Sequence, residues 1–264
     1  MKNRVVVVFG GSGGVGSLLM ACLKSYSGLT IVTCGRRAPA AEFPHYSWSF
    51  GENSPIPGII GDYPDNPIIV LYSAIHWPTC GDDINVNLSA LCSVENSLPA
   101  GSKFISMSSL VVNTRSDTWY AKLKRKEELF CREHSLVSMR LGLIDSNRPF
   151  GQSNMFLSLA NFLHVVPIPF PSAKVILSSE NEICKRLNQY IFDDNNLLPS
   201  VVDICSNKLS FIDAVRYILH KHNAKAICVP VPKFITHICV YICAKHFPDS
   251  WFSERLRGLQ AFSD

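Results

Sequence analysis

The chain has 264 residues, 47% of them hydrophobic and 17% charged, a balance that excludes a disordered polymer and is enough for a sizeable buried core. Its formal net charge of +4 is weak for this length, and no dense Lys/Arg block with interleaved aromatics occurs, so nucleic acid is a poor partner and a phosphorylated small molecule a better one. The start, "MKNRVVVV", has no cleavable apolar region ending in small residues, and Gly10 interrupts the apolar run before it could cross a bilayer. A cytoplasmic protein without a membrane span is expected.

In chain order, "RVVVVFG" (Arg4 to Gly10) reads as the first strand and "VGSLLMACLKSY" as the helix after it. "LTIVTCG" is a second strand, and "SWSFG" a short third one within a stretch punctuated by Pro39, Pro44, Pro55, Pro57, Pro64 and Pro67. Then come the strand "NPIIVLYSA", the helix "DDINVNLSALCSVENSL", the strand "SKFISMSS", the helix "DTWYAKLKRKEELFCREH" and the strand "LVSMRLGLI". Apolar β-branched runs alternating with helical periods predict an α/β fold, a Rossmann-type doubly wound parallel sheet with helices on both faces. Beyond Ile144 the alternation loosens. "VPIPFP" is extended, and helical character is confined to "NEICKRLNQYI", "SFIDAVRYILHKH" and the tail from Lys233. The expectation is a dinucleotide-binding body over residues 1–144 and a smaller substrate lobe over 145–264 that partly returns to the body.

Ten cysteines are scattered without a framework, so reduced thiols are expected. Cys239, Cys243 and His246 share one helix face in the tail, but that helix is apolar nearly all round, and core packing is the better reading than a metal site. The same stretch carries aromatics and flanking lysines, yet packing on its own domain or a second subunit is expected over membrane association.

Gly10, Gly13 and Gly16 follow the first strand at the spacing G-x-x-G-x-x-G and open a helix. In that setting the glycines allow a tight turn, close approach of a pyrophosphate and close helix–strand packing, and the helix N-terminus faces the phosphates. Ser12, Gly14 and Val15 complete the phosphate loop. The second strand ends in "CGRR" without the carboxylate that would accept a ribose 2′-OH. Arg36, with Arg37 beside it, instead suits a 2′-phosphate, which predicts NADP over NAD.

Tyr120 and Lys124 lie four residues apart on one predicted helix face. An ammonium beside a phenol stabilises phenolate and lowers its pKa, turning tyrosine into a usable acid–base group. Ser108 and Ser109 end a strand at the carboxyl edge of the sheet, where a hydroxyl could polarise a substrate carbonyl.

This ordered set, the three glycines, a strand-end serine and Tyr120-x-x-x-Lys124, resembles the short-chain dehydrogenase/reductase family, in particular its extended branch of nucleotide-sugar epimerases, dehydratases and reductases. The likeness runs over about residues 4–144. The resemblance implies a catalytic Ser109 with Ser108 as second choice, Asn87 in "VNLSA" as the residue that orders the active-site helix, and Ser73 and Ala74 along the adenine side and ribose of the cofactor. It also implies a homodimer paired through the catalytic helix. Leu110 and Val111 follow Ser109 where dehydratases of that branch carry an acidic pair, which disfavours elimination of water. The interval from Ser109 to Tyr120 is short for the branch.

The leading expectation is an NADP-dependent reductase acting on a keto or hydroxyl group of a nucleotide-linked sugar. An epimerase using the same residues is the alternative, and a non-catalytic dinucleotide-binding sensor or assembly subunit is a third. No H-E-x-x-H or Walker lysine supports a metal-dependent hydrolase or a kinase.

Overall fold

The computed structural model describes residues 3–39, 42–77, 84–170, 174–192, 199–232 and 234–235. The N-terminal elements are β1 (Arg4–Phe9), α1 (Gly14–Leu23), β2 (Leu29–Gly35), β3 (His45–Ser47), α2 (Ile56–Asp62), β4 (Ile68–Tyr72), α3 (Ile84–Asn96), β5 (Lys103–Ser109), a 3-10 turn (Leu110–Asn113), α4 (Trp119–Glu133) and β6 (Val137–Leu141). They are followed by β7 (Leu143–Asp145), α5 (Gly151–Leu163), β8 (Val165–Phe170), β9 (Lys174–Ser179), α6 (Glu180–Phe192), β10 (Val201–Ile204), β11 (Asn207–Ser210), α7 (Phe211–Lys221) and β12 (Ile227–Pro232).

Seven strands form one parallel sheet in the order β10-β6-β5-β4-β1-β2-β3. The order reverses between β1 and β4, so the crevice at their carboxyl ends is the topological switch point of a doubly wound fold. The β1 valines explain why this strand is central: Val5, Val6, Val7, Val8 and Phe9 are all fully buried, as required of a strand covered on both faces. Val6 and Val8 meet Leu19 and Leu23 of α1 and Ile183 and Leu187 of α6, while Val5, Val7 and Phe9 meet Ile59 of α2 and Leu91 and Val94 of α3.

Elsewhere the structure departs from the expected elements. The third strand is His45–Ser47, ending before Trp48, which is buried at 2% exposure against Phe9 and Phe50. The proline-rich stretch contains α2, which begins with Pro55 as its cap and Pro57 in its first turn, where a missing N–H leaves no intrahelical bond unmade. "LVSMRLGLI" is two strands, because Gly142 lies between β6 in the main sheet and β7 in a three-stranded sheet with β9 and β11. β8 and β12 form a separate parallel pair. These lobe elements share a core of their own, with Phe156, Ile168, Phe211 and Ile218 at its centre. β10 returns to the main sheet beside β6, and α6 packs on α1.

The expected reduced state of all cysteines is corrected at one pair: Cys22 of α1 and Cys184 of α6 form a disulfide. Both lie in the contact between α1 and α6, so helix packing brings the thiols together although 162 residues separate them in sequence. Cys34, Cys92, Cys131, Cys205 and Cys228 are free. Cys239, Cys243, His246 and the helix expected beyond residue 235 fall outside the described residues, among which no metal-binding cluster and no helix long and apolar enough to cross a membrane occur.

Candidate functional site

The β1–α1 turn is built by glycine for two different reasons. Gly10 has φ +79°, and a Cβ there would lie 2.9 Å from the backbone of Ala74, so this position serves a chain-to-chain approach between β1 and the end of β4. Ser73 reinforces it, since its backbone N–H and its hydroxyl both donate to the Phe9 carbonyl at 3.1 and 2.7 Å. At Gly16 a Cβ would fall 2.1 Å from the Gly10 carbonyl oxygen, which is the helix-on-strand packing that the third glycine permits. Gly14 is small because the Phe150 ring lies against it, 2.4 Å from where a Cβ would be. Ser12 and Gly13 are exposed, and no side chain caps the α1 N-terminus. The first-turn N–H groups of Gly14, Val15 and Gly16 therefore have no side-chain competitor for an anion.

Arg36 and Arg37 follow directly on β2, and both are exposed. Their placement at the strand end, on the same edge of the sheet as the glycine turn, fits a phosphate on the adenosine half of a dinucleotide.

Across the switch point, one cleft is lined by Val15, Ser73, Met107, Ser109, Tyr120 and Lys124. Ser109 lies beside Tyr120 in the lining of this cleft and accepts from the Val111 N–H at 3.3 Å, capping the 3-10 turn. Ser108 is committed elsewhere: its hydroxyl donates to Glu128 at 2.5 Å, and Glu128 accepts a bidentate pair from Arg140 at 2.9 and 2.6 Å. That network ties α4 to β5 and β6 and leaves Ser109 as the strand-end hydroxyl beside Tyr120.

The short connection from Ser109 to Tyr120 is rigidly held. Arg125 donates to the carbonyls of Val112, Thr114 and Ser116 at 3.3, 2.6 and 2.7 Å, and Thr118 caps α4 by accepting from Ala121 N–H at 3.2 Å. Asn87, fully buried on α3, accepts from the His76 N–H at 2.8 Å and donates to the His76 carbonyl at 3.0 Å. It thus pins the segment leading from Ser73 to Trp77. Trp77 in turn stacks on Tyr120, with centroids 5.7 Å apart and planes 15° from parallel.

Lys124 is 2% exposed, and its ammonium donates to the Met107 carbonyl at 2.8 Å and to Glu127 at 2.7 Å. Burial would lower the Lys124 pKa, but the Glu127 and Tyr120 charges outweigh it and hold the ammonium above the usual lysine range. At Tyr120, Lys124 pulls the pKa down, as the sequence predicts, and the nearby Ser109 hydroxyl adds to it. Burial pushes harder the other way, Glu127 adds to it, and the hydroxyl stands above the usual tyrosine range. Tyr120 is therefore a protonated phenol at neutral pH.

The pattern of the sequence left out Trp77, Phe150, Arg125 and Glu127. For Glu127 the signal was present as a carboxylate three residues after Lys124; "YSAIHW" carried Trp77 but nothing to show where it would turn. The long contacts of Phe150 and Arg125 had no local signal.

No protein-family model matches the chain and no curated protein matches it in sequence. Solved structures do share its fold. An NAD-dependent NDP-hexosamine 5,6-dehydratase of tunicamycin biosynthesis is 17% identical at a TM-score of 0.63, covering 87% of this chain and 84% of its own. An epimerase from the methanogen Methanothermobacter thermautotrophicus is 16% identical at 0.67, with 88% and 81% covered. A monomeric L-threonine 3-dehydrogenase from a metagenome is 17% identical at 0.65, with 97% and 92% covered. These matches establish the doubly wound fold and agree with the resemblance carried by the glycine and Tyr-Lys motifs.

Proposed function

We propose that the protein is an NADP-dependent reductase of a keto group on a nucleotide-linked sugar. The observation that carries this reading is the convergence of Ser109, Tyr120 and Lys124 in one cleft beside an uncapped, glycine-built helix N-terminus. The exposed first turn of α1 suits a pyrophosphate, and Arg36 with Arg37 suits a 2′-phosphate. A nicotinamide dinucleotide bound there supplies the hydride. The protein's own residues supply the rest. Ser109 donates to the substrate oxygen and holds it beside Tyr120. Tyr120 gives its proton to that oxygen as negative charge develops on it, and Lys124 keeps a positive charge beneath the resulting phenolate. A phenol that stays protonated at neutral pH has the proton that reduction of a carbonyl requires. The nucleotide-sugar part of the reading leans on the fold neighbours that act on such substrates.

An epimerase is the second reading. It uses the same three residues, and both a fold neighbour that is an epimerase and the dependence of another neighbour on NAD favour it.

A fluorescence titration with NADPH and NADH separates the two, with Trp77 against Tyr120 as an intrinsic reporter. Tighter binding of NADPH is expected, falling by about tenfold or more when Arg36 is replaced by alanine, as for the loss of a charge-assisted hydrogen bond, while NADH binding stays level. Preference for NADH would remove the arginine argument and with it the assignment as an NADP-dependent reductase.

A further inference from the structure

The interface between α4 and the sheet is polar directly below Tyr120 and Lys124. Strand pairing sets Tyr72 beside Ser106 and Ser106 beside Ser138, so three hydroxyl-bearing side chains form one transverse row across β4, β5 and β6. None is more than 1% exposed. Cys131 of α4 lies near Ser106 and Ser138, and the hydroxyls of Tyr72, Ser106 and Ser138 have no hydrogen-bond partner. Glu127 lies over this row, 1% exposed, with one carboxylate oxygen on Lys124 at 2.7 Å and the other without a partner.

A carboxylate so placed needs a reason, because burying one is costly unless it is paired and hydrogen-bonded, and this one is only half satisfied. An apolar side chain would pack α4 onto the sheet without that cost. What Glu127 does that an apolar residue would not is act on Lys124. An ammonium has three N–H donors. Met107 and Glu127 take two of them from the sheet side, leaving one for the cleft that Lys124 lines. Glu127 also alters the field at Tyr120. A lone ammonium favours phenolate strongly, whereas an ammonium–carboxylate pair has no net charge and favours it much less.

We propose that Glu127 is a positioning residue for proton transfer, which fixes Lys124 from the sheet side and cancels much of its charge, so that Tyr120 is kept in the proton-donating form. This rests on the reading of Tyr120 as the proton donor of a reductase. The ionisable groups around the pair are consistent with Glu127 being the one that decides. On α4 these are Glu128, which is occupied by Ser108 and Arg140 of the strands, and Cys131, a thiol pushed up to about 11 chiefly by burial. From β4, Tyr72 is held well above the tyrosine range by burial and by Glu127 itself. From α3, Glu95 is paired with His134 at the far end of α4.

The test is an ultraviolet titration of phenolate, with each protein referenced to its own Tyr120→Phe version so that one of the eight tyrosines is isolated. It needs neither substrate nor cofactor. Glu127→Gln and Glu127→Met both remove the charge, and either of them, folded by circular dichroism, is expected to lower the Tyr120 midpoint by about one pH unit, a tenfold change in proton affinity. Glu127→Asp keeps the charge and is expected to stay near the wild type. An unchanged midpoint in a folded Gln or Met variant overturns the proposal. So does an Asp variant that shifts as far as Gln, since packing and not charge would then be the cause. Failure of the functional reading looks different: the midpoint would still move, but the wild-type protein would neither bind nor consume NADPH.

Discussion

Tyr120 combines a raised pKa with a ring clamped by Trp77, and together these set how the site should respond to pH. Reduction draws a proton from the neutral phenol, so its rate is expected to stay level through neutral pH and to decline once the phenol ionises. Oxidation of the product alcohol needs phenolate and should rise over the same alkaline range. A reductive rate that climbs with pH would show another group to be the donor. Replacing Tyr120 with Phe keeps the Trp77 stacking and the shape of the cleft but removes the proton, and should lower turnover by about 100-fold or more with NADPH affinity nearly unchanged. Stopped-flow turnover and the fluorescence titration together read that split.

At the level of elements, the junction between β6 and β7 is set by a single residue. A Cβ on Gly142 would lie 2.1 Å from the Ile176 carbonyl oxygen of β9, and its N–H donates to Ser178 at 2.7 Å. Gly142→Ala forces β9 away from the strand it pairs with and should cost about 1–3 kcal/mol, as overpacking does in a filled core; urea unfolding measures it, and an unchanged midpoint would mean that the two sheets slide freely. This junction also shows why some of the fold was legible and some was not. β1, β2, β4, β5 and α4 were readable because each carries its own signal, a buried apolar run or a repeated helical face. "LVSMRLGLI" has one uninterrupted strand signal, and only a contact with residues more than thirty positions later divides it. α5 was hidden for a related reason: "GQSNMFLSLANFL" has serines and asparagines between its apolar residues, and its helix is held by packing of Phe156 and Ala160 on the lobe core. In the candidate site, the Tyr120–Lys124 pair was legible from spacing and a strand-end serine from the sheet edge, while the preference for Ser109 came with the family resemblance. Glu128 and Arg140, which hold Ser108, give the choice of Ser109 over Ser108 a physical reason, and Glu127 lies in a run of charges where nothing local marks it as buried.

At the scale of the molecule, the disulfide between Cys22 and Cys184 joins the helix of the glycine turn to the helix that leads into β10. Because it closes a loop of 162 residues, it restricts the unfolded chain and should stabilise the native one by about 2–4 kcal/mol. Reduction by a thiol should lower the melting temperature by roughly 5–15 °C, and Cys22→Ala should reproduce the lowered value and be insensitive to the reductant. A melting temperature equal in both redox states would show that α1 and α6 are held by their apolar contact alone. The strand order has another consequence, for the chain as it leaves the ribosome. The edge of the main sheet beside β6 is filled by residues 201–204, and the sheet face over Val6 and Val8 is covered partly by residues 180–192. A nascent chain that has already emitted every residue lining the cleft, the last of them Ile144, must therefore wait, with an open strand edge and an apolar face in water, for about 60 more residues, to Ile204, to be translated. The cleft is written early in the message, but it becomes rigid late.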